Sequence, residues 1–428
     1  MNKLSEYRRE FHKYPENGWH EFRTSARVAE ILTGMGYEVA MGPDVIEPAS
    51  VGEPERLTQE QVKAEMERAV AQGANPDFVA RTNGWPGVMA VLDTGRPGPV
   101  SAMRFEIDCL PYDEPQKAGY RPFDEGYLSC NPQSVHACGH DGHTASLLGA
   151  AKILVSRRDQ FPGTVRLIFQ PAEELGTGAD DMVKAGCLEG VDAALGIHLW
   201  SGVKSGTISV EAGPRMAAAN WFRYRLKGKG GHGARPHQGV DAALAAAASV
   251  VNLQSVVSRE FPADEPVVIT VGHIETGTRF NVIAPEAMFE GTMRCYNVQG
   301  FLHDIPQAMH RVVENTAAAY RCQVTEKYVY DAMLPCNNPE QASARGTAAV
   351  KKILGEAGIG RIEPMMGGED FSYMMHEVPD SLLAFVGIGD PEKGTDEPHH
   401  SGRFQIDEDC LKNSVAFYAQ YAVDYLNE

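Results

Sequence analysis

A short segment of the chain, HACGHDGH at residues 136–143, carries three histidines, one cysteine and one aspartate directly before an apolar helical pattern. Cys138 and His140 are two residues apart, so in extended backbone their side chains point to the same side. A thiolate has enough lone pairs to bridge two cations, and the cations would keep it deprotonated. Together with imidazole and carboxylate groups, it suits zinc or manganese. The segment therefore predicts one half of a metal site.

Further metal-ligand side chains lie at the ends of predicted strands and in a late loop. Glu173 and Glu174 follow the strand TVRLIFQ, His198 lies at the end of VDAALGIHLW, and His399 and His400 lie in the loop EPHHSGRF. Because the carboxyl ends of parallel strands share one edge of a sheet, these groups are expected to converge. Taken singly, a glutamate pair often complements a helix dipole and a loop histidine is often solvated. Their convergence favours a site for two metal ions.

Two other kinds of site compete with the metal site. The loop GKGGHG at residues 228–233 matches the dinucleotide-binding pattern G-x-G-x-x-G, but the helix after it starts only near Asp241 and no acidic residue follows at the ribose-binding distance. The loop is therefore not predicted to bind a dinucleotide, and it leaves His232 free of side-chain crowding. A hydrolase with Cys138 as nucleophile stays open from the residues alone, although no G-x-S-x-G elbow is present.

Composition restricts the class of partner. The chain has 428 residues and a formal net charge of −18, which argues against nucleic acid and anionic membranes and leaves a small-molecule ligand. No apolar run approaches the roughly 20 residues of a membrane span. The N-terminus lacks the apolar core of a secretory signal, so a cytoplasmic location is expected. The eight cysteines include no C-x-x-C pair, and most are expected to be buried, reduced thiols.

Apolar runs of strand length alternate with helical patterns on both sides of a central segment. Residues 1–213 and 330–428 are predicted to form an α/β domain in which helices cover both faces of a mostly parallel sheet. Residues 43–87 are predicted to be a helical insertion, with Thr58 and Gln61 at capping-box spacing. Residues 214–329 show the order β-α-β-β-α-β, which predicts an inserted α+β domain of the ferredoxin-like kind.

Over nearly its whole length the chain resembles the M20 metallopeptidases, in their amidohydrolase branch. The motifs that carry the resemblance occur in the family's order: HACGHDGHTASLLGAA, FQPAEELGTGADDMV, GIHLW, GKGGHGARPHQGVDA, NVIAPEA with GTMR, GGEDFSYM and HHSGRF. Within the branch, the insertion at 43–87, the segment LDTGRPGPV and the double histidine most resemble the aminobenzoyl-glutamate hydrolases.

The resemblance implies a ligand set for two divalent ions, Mn²⁺ or Zn²⁺, in each chain. It makes Cys138 the bridging ligand, with His140 and His198 on one ion and Glu174 and His400 on the other. His399 is the rival of His400 for the last position, and the context HSGRF favours His400. Glu106 stands where relatives usually have aspartate, so its role is open.

The resemblance also implies roles for residues that do not bind metal. Glu173 is implied as the general base, and Asp108 as the acid that orients the ligands. His232 is implied to stabilise the oxyanion from the lid domain of a partner subunit, while Asn281 and Arg294 are implied to lie near the substrate carboxylate. The lid would therefore also be a dimerisation domain, and a paralogous second subunit is the other possible partner.

The expected activity is hydrolysis of the amide bond of an N-acyl amino acid, first of all p-aminobenzoyl-glutamate to p-aminobenzoate and glutamate. A hippurate-like or N-acetyl-amino-acid hydrolase is the alternative within the class. A catalytically silent protein that binds a small molecule or metal is the alternative from another class. Glu173 separates these classes, because a protein that only binds has no use for an uncoordinated carboxylate there.

Overall fold

The structure, a computed structural model, describes residues 3–52 and 56–428, with all their side chains except those of residues 331 and 332. In chain order the strands are β1 Glu38–Met41, β2 Val88–Asp93, β3 Val100–Glu106, β4 Thr164–Gln170, β5 Ala193–Lys204, β6 Ile208–Ser209, β7 Gly213–Met216, β8 Ala218–Lys227, β9 Gly231–His232, β10 Val267–Thr276, β11 Val282–Ile283, β12 Glu286–Cys295, β13 Gln323–Met333, β14 Cys336–Asn338 and β15 Ser381–Gly389.

The α-helices are numbered in the same way. They are α1 Lys3–Lys13, α2 Phe22–Met35, α3 Gln59–Ala71, α4 Pro76–Arg81, α5 Arg121–Asp124, α6 His140–Ser156, α7 Gly178–Lys184, α8 Ala242–Arg259, α9 Ile305–Ala319, α10 Glu340–Leu354, α11 Phe371–Glu377 and α12 Cys410–Leu426. Among the described residues, none of these helices combines the length and the apolar character needed to span a membrane.

The chain divides into two compact units. Unit 1 consists of Met1–Gly213, Asn337–Glu363 and Tyr373–Glu428, and unit 2 of Pro214–Cys336 and Pro364–Ser372. The predicted domain bounds also change at residue 213, but they do not assign Pro364–Ser372 to the inserted domain. The functional division into a catalytic domain and a lid stays a prediction.

Unit 1 is built on a seven-stranded sheet of order β1-β2-β4-β3-β5-β15-β6. Its four central strands, β4, β3, β5 and β15, run parallel to one another, whereas β1, β2 and β6 at the two ends pair antiparallel. The predicted α/β class with a mostly parallel central sheet is therefore confirmed. Its main core is made by apolar side chains of the sheet and of the flanking helices, including Phe105, Leu147, Leu167, Leu382 and Phe417.

The insertion in unit 1 carries α3 and α4 and connects the antiparallel neighbours β1 and β2. The predicted capping box is present, because the Thr58 hydroxyl accepts from the amide of Gln61 and the Gln61 side chain accepts from the amide of Thr58. A small separate core joins the insertion to α2 through Phe22, Ala69 and Val79.

Unit 2 contains a four-stranded sheet of order β10-β12-β8-β13. Its main elements follow one another as β8-α8-β10-β12-α9-β13, which is the predicted order. All neighbouring strands of this sheet are antiparallel. The helices α8 and α9 pack through a core that includes Phe222, Phe289, Met309 and Leu253.

Candidate metal centre and active site

The central strands of unit 1 bring the predicted ligand segments to one edge of its sheet. Asp108 lies just beyond β3, Glu173 and Glu174 follow β4, and His198 lies in β5. The β3, β4 and β5 ladders are parallel, so β3 and β4 end at the same edge of the sheet. The sequence placed His198 at the end of its strand, but β5 continues to Lys204. His400 follows β15, which is the other parallel neighbour of β5.

Cys138 lies directly before α6. The Sγ atom lies 3.5 Å from Nε2 of His198 and 3.7 Å from Nδ1 of His399. The backbone between Cys138 and His140 is not extended, contrary to the prediction, because Gly139 has a φ of 91° and α6 begins at His140. Glycine adopts this left-handed conformation without a Cβ penalty, which lets the chain turn sharply between the two ligand candidates.

Two groups of candidate ligand atoms share the Cys138 sulfur. In one group the sulfur and the ring nitrogens of His140 and His198 lie within 4.8 Å of one another. In the other group the sulfur, a Glu174 oxygen and a His400 ring nitrogen also lie within 4.8 Å of one another. This is the pairing that the resemblance implied, with one atom common to both groups.

Hydrogen bonds determine which ring nitrogens of His140 and His198 are free to accept a metal. Nδ1 of His198 donates to the carbonyl of Leu199 over 2.8 Å, and Nδ1 of His140 lies 3.0 Å from the carbonyl and 3.1 Å from the carboxylate of Asp108. A carbonyl oxygen only accepts, so Nδ1 carries the proton in both rings. When these rings are neutral, Nε2 keeps its lone pair, as in metal-ligating histidines.

His143 and His399 have the opposite arrangement. The amide of Leu199 donates to Nε2 of His143 over 2.8 Å, and the amide of Ser201 donates to Nε2 of His399 over 3.1 Å. The accepting nitrogen of each ring is therefore occupied, and in the neutral ring Nδ1 carries the hydrogen. His399 then directs an N–H group towards the Cys138 sulfur, as a hydrogen-bond donor.

His400 is placed to use Nε2. That atom lies 3.4 Å from Glu174 Oε2, and the side chain is half exposed. The His400 backbone has a φ of 62°, and its amide donates to the carbonyl of Ala137 over 2.9 Å. This turn anchors the late loop beside the segment that carries Cys138.

Asp108 connects the histidine and glutamate segments. Its Oδ1 is 3.1 Å from His140 Nδ1, while its Oδ2 accepts from the amide of Glu174 over 2.9 Å. The loop that carries Glu173 and Glu174 also depends on Gly178, because a Cβ there would lie 1.7 Å from the carbonyl oxygen of Pro171. Glu173 itself is buried, and its Oε2 lies 3.9 Å from His140 Nε2.

Glu106 supports His143. It is fully buried, with one oxygen 3.2 Å from Arg104 Nη1 and the other 3.3 Å from His143 Nδ1. Burial alone would raise the pKa of Glu106, but Arg104 and His143 outweigh it and hold the pKa well below the usual value. The carboxylate therefore fixes the ring that binds the Leu199 amide, next to His198.

The buried thiol and carboxyl groups of the centre favour the binding of cations. Burial, together with the nearby carboxylates of Glu174 and Glu173, raises the pKa of the Cys138 thiol well above its usual value. Burial also raises the pKa of Glu174 to about 7, although His140 opposes the shift. Glu174 Oε1 and His140 Nε2 are buried without a hydrogen-bond partner among the described residues. Divalent cations would satisfy these atoms and replace the protons.

The remaining predicted site residues lie in unit 2. His232 in β9 pairs with Val282 in β11, and the carbonyl of Asn281 accepts from the amide of Gly233 over 2.9 Å. The structure therefore brings the backbones of His232 and Asn281 together. Arg294 lies on β12, and a Cβ at Gly368 would lie 3.4 Å from its Nη1 atom. Burial lowers the pKa of Arg294.

Sequence reasoning did not assign a role to Glu21 or His143, nor did it identify what Glu106 does. None of these residues stands at a spacing that is typical of a metal ligand. The contacts of Glu106 and His143 are made with residues that are remote in the chain. The clustering of His143 with the ligand histidines in HACGHDGH was the one available signal.

Two groups of candidate ligands at the carboxyl edge of a parallel sheet are typical of metal-dependent hydrolases. The chain belongs to peptidase family M20/M25/M40, whose pattern matches residues 102–424. The predicted family, and with it a hydrolase of linear amide bonds, is confirmed.

Two relatives match nearly the whole chain, and a third matches most of it. The chain is 34% identical over 430 residues to a subunit of p-aminobenzoyl-glutamate hydrolase of Escherichia coli K12. The match covers 99% of this chain and 96% of that protein. The chain is 34% identical over 434 residues, with the same coverage of both chains, to the indole-3-acetyl-aspartic acid hydrolase of Enterobacter agglomerans. N-acetylcysteine deacetylase of Bacillus subtilis is 37% identical over 337 residues, which cover 79% of this chain and 84% of that protein.

Two solved structures show the same architecture. A dinuclear metal-binding M20 peptidase of Bacillus subtilis has a TM-score of 0.76 and 28% identity, covering 99% of this chain and 98% of its own. The aminobenzoyl-glutamate utilization protein of Klebsiella pneumoniae has a TM-score of 0.69 and 29% identity, covering 98% of this chain and 95% of its own.

Proposed function

We propose that this protein hydrolyses the amide bond of an N-acyl amino acid with the help of two divalent ions, Mn²⁺ or Zn²⁺. The observation that carries the proposal is the Cys138 sulfur, which is common to two groups of ligand atoms. In this proposal His140 and His198 complete one ion site, and Glu174 and His400 complete the other. Each group offers imidazole or carboxylate beside the sulfur, which suits these metals.

Two bound divalent ions would lower the pKa of the attacking water from 15.7 towards about 7. Glu173 is the proposed general base. It lies beside ligand candidate Glu174 in the same loop, close enough to the ligands to take a proton from the attacking water. It then returns that proton to the leaving amide nitrogen as the carbon–nitrogen bond breaks, so the products are a carboxylic acid and a free amino acid.

His232 is the proposed donor to the oxyanion, contributed by a partner subunit. The amide of Ala234 donates to its Nδ1 over 3.0 Å, so in the neutral ring the hydrogen is on Nε2. The side chain is exposed, so this N–H group is available to a ligand. Removal of one oxyanion donor costs other hydrolases about 2.7–4 kcal/mol.

The proposed substrate is p-aminobenzoyl-glutamate. Two full-length relatives are named for conjugates of an aromatic acyl group with an acidic amino acid, glutamate in one and aspartate in the other. Arg294 and Asn281 are proposed to bind the substrate carboxylate. The N-acetylcysteine deacetylase relative supports an N-acetyl amino acid as the second candidate.

The test is a release assay on the purified full chain with p-aminobenzoyl-glutamate, hippurate and N-acetyl amino acids, each with manganese and with zinc. We expect release of p-aminobenzoate to be fastest. Faster cleavage of an N-acetyl amino acid would refute p-aminobenzoyl-glutamate as the preferred substrate, whereas the proposed amide hydrolysis would stand.

Glu173→Ala tests the reaction itself. We expect turnover to fall by about 10²–10⁴-fold, because the proton acceptor is lost while the ligand set is intact. Metal content, measured by mass spectrometry of the purified protein, should not change. Unaltered turnover of Glu173→Ala would refute the general base.

We also propose a homodimer formed through unit 2. The alternative is a complex with a paralogous second subunit, because the Escherichia coli relative is named as one subunit of its enzyme. A cytoplasmic location is proposed as well. All eight cysteines are free thiols in the structure, which fits a reducing compartment.

A further inference from the structure

The segment between α1 and α2, residues 16–21, packs under the loop that carries Glu173 and Glu174. Its carbonyl at Glu16 accepts from the amide of Cys109 over 2.8 Å, just beyond β3. A Cβ at Gly18 would lie 2.8 Å from Leu175 and 3.2 Å from the Cα of Ala172. We call residues 16–21 the N-terminal brace. It contacts both the end of β3 and the glutamate loop.

Glu21 makes the most direct contact between the brace and the loop. Its side chain is fully buried, and Oε1 accepts from the amide of Ala172 over 2.7 Å. Ala172 immediately precedes Glu173 in the chain. The hydrogen bond is therefore made one residue before the proposed general base.

Ala172 has an unusual backbone conformation. Its φ is 54° and its ψ is 38°, which is the left-handed region, and the residue is fully buried. An L-residue with a Cβ is disfavoured there, so surrounding contacts must hold the turn. The turn sets the direction in which Glu173 and Glu174 leave the strand β4. The hydrogen bond from Ala172 to Glu21 is placed to hold it.

The contact of Glu21 with Ala172 needs an oxygen acceptor at the right reach, because it is a hydrogen bond from a backbone amide. Burial raises the pKa of Glu21 well above its usual value, and the carboxylate of Asp108 adds to the shift. Its second oxygen, Oε2, has no hydrogen-bond partner among the described residues. A neutral acceptor of the same length should therefore replace the carboxyl group.

We propose that Glu21 is a positioning residue that holds the left-handed turn at Ala172 and thereby presents Glu173 and Glu174 to the reaction. The inference rests on the proposed function of those two glutamates. It gives the N-terminal brace, which lies outside the motifs that carry the ligand candidates, a role in positioning the glutamates.

The test compares Glu21→Gln with Glu21→Asp in the full-length, metal-loaded protein. Glutamine keeps an acceptor oxygen at the same reach, whereas aspartate keeps the carboxyl group but withdraws its oxygens by one methylene. We expect Glu21→Gln to stay within about threefold of the parent kcat. We expect Glu21→Asp and Glu21→Ala to lose about 10–100-fold in kcat with little change in KM, because a misplacement of about 1 Å has this effect.

Metal retention gives a readout besides activity. Dialysis against a chelator should strip metal faster from Glu21→Asp than from Glu21→Gln, because Glu174 loses its fixed direction. Adding Ala172→Gly to Glu21→Asp should recover part of both losses, since glycine adopts the left-handed region freely. Glu67→Ala, at an exposed position of α3, is the control for a glutamate substitution without a buried contact.

Opposite results would overturn the inference. It fails if Glu21→Asp is as active as the parent, if Glu21→Gln is as damaged as Glu21→Asp, or if Ala172→Gly recovers nothing. Glu173→Ala is measured in the same series, so the two proposals are separable. If Glu173→Ala keeps turnover, the proposed function fails; if it loses turnover while all Glu21 variants stay normal, only the role of Glu21 fails.

Discussion

At the scale of single residues, the histidines around Cys138 are distinguished by the backbone groups that they contact. Carbonyl oxygens fix the proton on Nδ1 of His140 and His198, whereas amides occupy Nε2 of His143 and His399. The four imidazole rings therefore form two pairs. His140 and His198 are ligand candidates, whereas His143 and His399 are supporting residues that accept from backbone amides. The two amides that donate to these supporting residues belong to β5, close to His198.

This distinction predicts different effects for the neighbours His399 and His400. We expect His400→Ala to reduce the metal content to about one ion per chain, because one ion loses its imidazole. His399→Asn, which retains an N–H donor, should keep both ions and lose activity only in part. Metal analysis of the two purified variants checks this, and loss of metal from His399→Asn alone would reverse the assignment.

Cys138 is expected to affect both ions at once. Cys138→Ala removes the atom shared by the two groups, so metal content should fall below one ion per chain after chelator dialysis. Cys130→Ala is the matched control, since Cys130 is an exposed free thiol. A Cys138→Ala protein that still holds two ions would refute the bridging role, and full activity of that variant would also exclude Cys138 as a nucleophile.

At the scale of elements, a buried charged network docks α1 on α6. His12 Nδ1 lies 2.7 Å from Asp141 and its Nε2 lies 2.7 Å from Glu114, while Arg8 Nε lies 2.8 Å from Asp141. A Cβ at Gly149 of α6 would lie 2.6 Å from Leu4, so the two helices are in close contact. The network holds the first turn of α6, which begins at His140, against α1.

The network predicts how stability depends on pH. Burial and Arg8 would lower the pKa of His12, but hydrogen bonds to Asp141 and Glu114 outweigh them and raise it above its ordinary value of 6.5. A raised pKa in the folded state means that the stabilisation is complete below about pH 6.5 and is lost as the pH rises through the folded-state pKa. His12→Ala should therefore lower the free energy of unfolding most at pH 6.

Urea unfolding of the parent and of His12→Ala at pH 6 and pH 9.5 measures this difference. We expect a loss of about 1–3 kcal/mol at pH 6, because hydrogen bonds to charged partners are removed, and a smaller loss at pH 9.5. His303→Ala, an exposed histidine of unit 2, is the control. An equal loss at both pH values would show that His12 does not act as a cation.

At the scale of the whole molecule, unit 2 exposes apolar side chains beside an unpaired sheet edge. β10 is an edge strand of its sheet. Val251 on α8 is 71% exposed, Leu244 on the same helix 53%, and Ile274 on β10 48%. Exposed edges and apolar patches of this kind favour association with another chain.

The proposed homodimer gives a prediction at this scale. Light scattering should give the mass of two chains, and Val251→Glu should shift the protein towards one chain because a buried charge opposes the interface. Turnover should fall with the dimer, since His232 is proposed to act from the partner subunit. Phe123→Glu, at an exposed position of unit 1, is the control. A parent protein of single-chain mass with full turnover would refute the dimer.

The sequence by itself determined the elements and the list of ligand candidates. Periodicity and capping residues located the parallel strands and the α3 capping box, because these depend on neighbours in the chain. Ligand chemistry indicated Cys138, His140, His198 and the pairs Glu173–Glu174 and His399–His400 as candidates, because few side chains can bind a cation. The family resemblance selected Glu174 and His400 from these pairs and supplied the pairing around the sulfur.

Only the tertiary structure decided what depends on contacts between distant segments. The proton positions of His399 and His143 follow from amides of β5, and the left-handed turn before Glu173 is held by Glu21, which belongs to a different part of the chain. The antiparallel ends of the sheet in unit 1 and the assignment of Pro364–Ser372 to unit 2 are likewise products of packing. A hydrogen bond between remote residues leaves no periodic trace in a sequence, so these supports become visible only once the chain is folded.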